Sequence, residues 1–339
     1  MKVNRVELQK ALEMVKPALA SKEIIEQSTS FAFLDGVVAT YNDEISISHP
    51  VVGLNIRGAI KANELYQFIN KTSREEIDIE CEEAQILIKA GRAKAGFILQ
   101  SEITLPTEEI GEIGKWKKLP ANFVEGLRFC NPTCSKDMSR PIITCVHLNG
   151  NGFIESSDGY RLSRFALESS LPITEALIPS TSITELIKFE ITKMAQGNGW
   201  VHFKTEAGTI FSCRIFEDEY PPIEEIISFP GELLELPKSL NLVLDRAAIF
   251  AKTEFDMDSL VTINIVDGVM EVKADGNSSW FEEVMRTKYK GEAIHFKTNP
   301  AFLSAMLGKV ESCIFGQGRI RFESASWKHV IALTVGDAE

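Results

Sequence analysis

The chain has 339 residues, 44% apolar and 25% charged, with a formal net charge of −12. These are the proportions of an ordinary soluble globular protein, and the acidic balance excludes adhesion to nucleic acid by bulk charge. No apolar run approaches the roughly 18 residues of a membrane span, and the N-terminus has charges at helical spacing instead of a signal peptide's apolar centre, so a cytoplasmic protein is expected.

The first predicted element is an amphipathic helix, with Leu8, Ala11, Leu12 and Val15 on one face. A strand–turn–strand follows from Ser30 to Tyr41, around Asp35-Gly36, a pair suited to the positive φ of a two-residue hairpin turn. An extended stretch then leads to a second helix, capped by Asn63 and turning Leu65, Phe68 and Ile69 inward. Further strands close the unit, and the charged, glycine-bearing segment 107–116 reads as a linker.

The same order then returns. A weaker helix runs from Asn122 to Cys130 and is cut short by Pro132, and a hairpin turns at Asn151-Gly152. A helix capped by Ser182 or Thr181 carries Ile183, Leu186, Ile187, Ile191 and Met194, and strands follow at Trp200–Thr205 and 208–216. After a proline-rich linker at 220–231, the third copy opens with a helix through Leu240, Val243, Leu244 and Ala247. It has its hairpin at Asp267-Gly268 and its second helix at Asn299-Pro300, with Phe302, Leu303, Met306 and Leu307 inward.

The three turns step by about 116 residues, and the second-helix signatures starting at Ile60, Ile178 and Phe296 keep nearly that step. A unit of roughly 115 residues is domain-sized and far longer than a solenoid repeat. The fold expected is α+β: three similar β-rich domains, 1–107, 116–222 and 236–339, each with two helices on one side of its sheet. Three like domains suit an architectural device better than an enzyme with one cleft. Asp158, Arg161 and His147 are close in sequence, but there is no nucleophile elbow, no phosphate loop and no metal-ligand spacing, so no catalysis is expected. Of six cysteines only Cys130 and Cys134 are close, without a second pair or a nearby histidine; buried reduced thiols are expected, with no metal and no cofactor.

The middle copy contains Ser156-Ser-Asp-Gly-Tyr-Arg-Leu-Ser163, then Ile178-Pro and, later, Phe211-Ser-Cys-Arg-Ile-Phe-Glu-Asp-Glu-Tyr-Pro-Pro222; the third copy opens Leu244-Asp-Arg-Ala-Ala-Ile-Phe-Ala-Lys. In that order, over the whole chain, these resemble the bacterial DNA polymerase III β subunit, the sliding clamp. The resemblance implies a ring formed as a head-to-tail dimer, with helices lining the hole, duplex DNA passing through it, and the polymerase and clamp loader bound by short peptide motifs. A clamp-shaped scaffold that gathers peptides without encircling DNA is the alternative.

The predicted helices and their ends are less acidic than the linkers, which suits a DNA holder kept on by linkage instead of affinity. The DNA-facing candidates are Lys10, Lys22, Lys71, Arg74, Arg140, Lys188, Lys193 and Lys252. Among them Lys22 and Arg140 match basic positions of the family, whereas Asn63 and Ser180 or Thr181 stand where the family often has Arg or Lys. The resemblance also implies a partner pocket between the second and third domains, lined by Ile143, Ser157, Gly159, Tyr160, Arg161, Leu162, Pro221, Ile226 and Val330. Its logic is an apolar slot with polar edges that takes a peptide bearing Leu or Phe anchors. Glu225, at a position usually basic in the family, and the unusual sequence after Val330 imply an altered pocket rim. The dimer contact implied pairs Ile249 and Phe250 with an edge strand carrying Phe97 and Ile98.

Overall fold

A computed structural model describes residues 1–106, 110, 113–254 and 258–334. Part of the expected linker at 107–116 and the last residues of the unusual C-terminus, 335–339, lie outside the described residues.

Repeat one comprises β1 (Lys2–Asn4), α1 (Arg5–Val15), β2 (Ser30–Leu34), β3 (Val37–Tyr41), β4 (Ile45–Pro50), β5 (Arg57–Lys61), α2 (Ala62–Lys71), β6 (Glu76–Cys81), β7 (Gln85–Ala90) and β8 (Ala93–Ile98). Repeat two has β9 (Lys117–Lys118), α3 (Phe123–Cys130), β10 (Cys145–Asn149), β11 (Phe153–Ser157), β12 (Arg161–Ala166), β13 (Glu175–Pro179), α4 (Ser180–Leu186), β14 (Ile191–Gln196), β15 (Trp200–Thr205) and β16 (Ile210–Arg214). The second linker forms the short α5 (Glu224–Ile227). Repeat three has β17 (Glu232–Glu235), α6 (Leu240–Ala251), β18 (Val261–Val266), β19 (Val269–Asp275), β20 (Trp280–Arg286), β21 (Ile294–Thr298), α7 (Pro300–Ser304), β22 (Ser312–Gly316), β23 (Arg319–Glu323) and β24 (Trp327–Ala332).

The first helix starts where its sequence says it should. The Asn4 side chain accepts hydrogen bonds from the Val6 and Glu7 amides, and Leu8, Ala11, Leu12 and Val15 are buried. Asp35-Gly36 and Asp267-Gly268 both take positive φ, as a two-residue turn between twisted strands requires.

Some boundaries differ from the expectation. The second helix of repeat one begins at Ala62, so Asn63 lies inside it and caps nothing; α4 likewise begins at Ser180, ahead of Thr181 and Ser182. Asn299 does cap α7, accepting from the Ala301 amide at 2.9 Å, but that helix stops at Ser304, so Met306 and Leu307 lie beyond it. Ile191 and Met194 belong to strand β14, not to a helix. A bulge between Ile191 and Lys193 breaks the alternation there and leaves Ile191 and Met194, three apart, both buried. That spacing imitates a helix face in the sequence.

The chain forms two compact units. The first comprises Met1–Arg128, Cys145–Gly152 and Glu168–Asp218; the second comprises Phe129–Thr144, Phe153–Leu167 and Glu219–Glu339. In the first unit, β1-β6-β7-β8 make a four-stranded sheet, β5-β2-β3-β4-β16-β15-β14-β9 make an eight-stranded one, and β10 pairs with β13. In the second unit the strand order is β11-β12-β24-β23-β22-β17, beside a four-stranded sheet β20-β19-β18-β21.

The hydrogen bonding repeats with the sequence. After the last strand of each repeat the chain returns to pair at the outer edge of the strand that precedes the second helix: Ala59 with Gln100, Leu177 with Phe216, and Lys297 with Thr334. Repeats join by one rule as well, since β4 of repeat one pairs with β16, the last strand of repeat two, and β12 pairs with β24, the last strand of repeat three. The counterparts left over are β8 and β20, each at the edge of a four-stranded sheet.

The first unit buries Phe31, Phe203, Phe211, Ile47 and Leu12, and the second buries Leu240, Leu244, Ile263, Phe296 and Phe322. Each such side chain contributes about 1.5–3 kcal/mol by leaving water. Five of the cysteines are buried as expected, but Cys81 is exposed at the end of β6. Among the described residues no helix is long and apolar enough to cross a membrane, and no group of His, Cys, Asp and Glu is placed to hold a metal ion.

Candidate functional site

All of the pocket residues expected from the sequence fall in the second unit. Strands β12 and β24 pair so that Leu162 lies opposite Val330. Both are buried, in one apolar cluster with Ile223, Ile227 and Phe229 of the second linker. Pro221 is exposed, Ile226 is 42% exposed and Ile143 is half-buried.

The turn entering β12 is fixed by its own side chains. The Asp158 carboxylate accepts from the Tyr160 and Arg161 amides at 2.9 and 2.7 Å and from Arg161 Nε at 2.9 Å. Ser157 Oγ donates to the Arg161 carbonyl and accepts from the Gly159 amide. Gly159 takes φ +89°, and a Cβ there would stand 3.0 Å from Arg140 Nη1. Tyr160, 51% exposed, is therefore presented on a rigid turn. Arg161 is committed inward, ion-paired to Asp158 at 2.8 Å and lying 4.0 Å over the Phe302 ring.

The linker side of this apolar surface is held by arginines that sequence reasoning missed. Arg164 bridges Glu155 and Glu224 and holds the Glu224 carboxyl below its ordinary range through the direct hydrogen bond. Arg319 donates to the Glu225 and Ile226 carbonyls at 2.9 and 3.2 Å; Arg321 donates to those of Phe229 and Ile227 at 2.9 and 3.4 Å. The Phe229 ring has both guanidiniums over it, at 5.5 and 5.0 Å. The available signal was the alternation Arg319-Ile-Arg321, which puts both arginines on one face of a strand. A surface cavity of about 500 Å³ in the same unit, lined by Leu236, Lys238, Asn241, Leu307 and Lys309, touches none of the expected pocket residues.

The candidate DNA-facing cations occupy varied settings. Lys10 on α1 and Lys71 at the end of α2 are exposed, as is Lys22 in the loop after α1. Lys188 is ion-paired to Glu185 at 2.7 Å, and Lys193 is exposed on strand β14 instead of on a helix. The Arg74 side chain lies against Gly91, and Lys252 follows the last residue of α6. Arg140, grouped with the DNA-facing residues by sequence, lies beside Gly159 and ion-pairs with Asp137. Thr181 donates to Glu44.

Among the expected contact residues, Ile249 on α6 is 71% exposed, whereas Phe250 is half-buried and stacked on Phe281 of β20 at 5.5 Å. On β8, Ile98 is 79% exposed and Phe97 packs edge-on against Phe68 at 5.8 Å. No sequence signal marks β20 as an edge strand, with Trp280 and Val284 exposed at 71% and 56%. His147 faces Glu175 at 3.6 Å, and Asp158 is committed to its own turn and to Arg161, so these residues form no acid–base constellation.

This architecture is the fold of the bacterial sliding clamps. The DNA polymerase III β subunit of Pseudomonas aeruginosa superposes with a TM-score of 0.88 at 18% identity, covering 99% of both chains. The β chain of Streptococcus pneumoniae does so with a TM-score of 0.84 at 21% identity, again over 99% of each. In sequence, the chain is 23% identical over 266 residues to the β sliding clamp of Pseudomonas aeruginosa, spanning 73% of this chain and 69% of that protein. No protein-family model matches the chain.

Proposed function

We propose that this chain is a divergent sliding clamp, built of three clamp domains at 1–107, 116–222 and 236–339, that encircles duplex DNA and tethers a replicative polymerase. The observation that carries the reading is the rule by which the repeats join. Two of three equivalent strand pairings are made within the chain, and the third set of partners, β8 and β20, is left open. β8 of one copy pairing with β20 of another extends the rule without exception and, closed over two copies, makes a head-to-tail homodimer. Ile98, Ile249, Trp280 and Val284 are the exposed apolar side chains beside those edges. Lys10, Lys22 and Lys71 make weak, screened contacts with phosphates, which is sufficient when linkage retains the DNA. The surface formed by Tyr160, Pro221 and Ile226, over the buried Leu162 and Val330, takes the apolar anchors of polymerase and clamp-loader peptides. The chain contributes no catalytic group to this role, which is that of a processivity factor in the cytoplasm.

Light scattering over a dilution series, followed by retention on circular DNA, tests the reading. A species near twice 37.7 kDa that stays on nicked circles and slides off after linearisation is the expected outcome. A monomer at micromolar concentration, or binding indifferent to linearisation, overturns it in favour of a peptide-gathering scaffold.

A further inference from the structure

Helix α5 has four residues, far too few to be stable alone. Its end carbonyls have no partners inside the helix. They are taken up from outside: Arg319 holds those of Glu225 and Ile226, and Arg321 holds that of Ile227 and, just beyond, that of Phe229. Two guanidinium charges at the C-terminal end of a helix also suit its dipole. At the opposite end Arg164 fixes the Glu224 carboxylate. Beneath, Ile223, Ile227 and Phe229 are buried on Leu162 and Val330, which leaves Pro221 and Ile226 outward.

We infer that Arg319 and Arg321, assisted by Arg164, are positioning residues that hold the second linker in its peptide-ready form. The inference rests on the reading of this surface as the site for partner peptides. The arginines touch linker backbone and the Phe229 ring. Their effect is to preset the wall bearing Pro221 and Ile226, so that a peptide meets an ordered surface and need not order it. Without them the linker samples other conformations, and apparent affinity falls in proportion to the competent fraction. A drop of that fraction to about a tenth weakens binding about tenfold.

The test uses the full chain and a fluorescein-labelled peptide with adjacent Leu and Phe anchors, followed by anisotropy and stopped flow. Arg319→Ala and Arg321→Ala are expected to bind about tenfold more weakly through a slower on-rate with an unchanged off-rate, and to speed amide exchange at 224–229. Arg319→Lys, which keeps a charged donor for the Glu225 and Ile226 carbonyls but loses the planar guanidinium over the Phe229 ring, is expected to fall between. A purely structural role lowers the melting temperature without slowing association selectively. Should an alanine variant fail to fold, Arg319→Lys decides: slower association supports the inference and wild-type association overturns it. Variants that bind like the wild type overturn the brace and leave the peptide site standing. A wild-type chain that binds no such peptide overturns the site and the brace with it.

Discussion

Acidification from pH 7 to pH 5 should destabilise both units, and the buried histidines set the amount. His202 on β15 and His329 on β24 are inaccessible to solvent, and each shares a 2.8 Å hydrogen bond with a serine, Ser212 and Ser163 respectively. Burial lowers the His202 pKa from 6.5 to about 4. Burial, with Arg161 and Lys309 adding repulsion, lowers that of His329 to about 3. The folded pKa values are depressed, so the unfolded chain binds more protons below pH 6.5. The stability is therefore complete above 6.5 and is lost as pH falls toward 4 and 3. Integrated between pH 7 and pH 5, each histidine removes about 2 kcal/mol. His49, also lowered by burial, adds to the loss in the first unit. Carboxyls held low by their partners, such as Glu224 and Glu271, give up their contributions only below this window. Urea unfolding followed by tryptophan fluorescence measures the loss, and proton NMR of the imidazoles measures the pKa values directly. Replacing His329 by Gln keeps a polar partner for Ser163 and removes the titration, so the decrement of the second unit should shrink by about 2 kcal/mol. A wild type equally stable at both pH values, or a variant with the same pH slope, refutes the reasoning.

Ile98→Lys, at a site 79% exposed, should leave monomer stability within about 0.5 kcal/mol and yet halve the mass seen by light scattering. Ile226→Ala should weaken binding of a Leu/Phe-anchored peptide severalfold by anisotropy while the thermal melt stays within a few degrees. Gly159→Ala forces φ +89° on a side chain that meets Arg140 at 3.0 Å, and should cost about 1–2 kcal/mol in urea unfolding of the second unit. A melt unchanged by that substitution would mean that the turn relaxes without strain.

Much of the fold was legible because local chemistry and tertiary structure agree. Asp-Gly pairs demand a particular turn wherever they sit, and the apolar faces of α1 and α6 had one possible use. The failures arose where one pattern serves two structures, as with Ile191 and Met194, whose spacing a bulge changed from helical to extended. Asn63 is a good capping residue in the wrong place: the helix starts at Ala62, so Asn63 lies inside its first turn. At the candidate site, the Asp158-to-Leu162 turn was visible as a motif, but the arginine contacts were not. Their acceptors are backbone carbonyls, which every residue carries and no sequence distinguishes. The open edge at β20 escaped for a related reason: a strand is an edge only by virtue of what its neighbours leave unpaired.

If copies join β8 to β20 as proposed, the contact joins unlike surfaces, and such a contact has no built-in stopping point. A chain can add to either end of another indefinitely unless the rotation per chain divides a full circle, in which case growth ends by closure. That rotation depends on the twist accumulated through the intrachain ladders β4·β16 and β12·β24. A substitution that alters twist in either ladder can therefore turn a closed particle into a filament while every residue at the meeting edges stays the same.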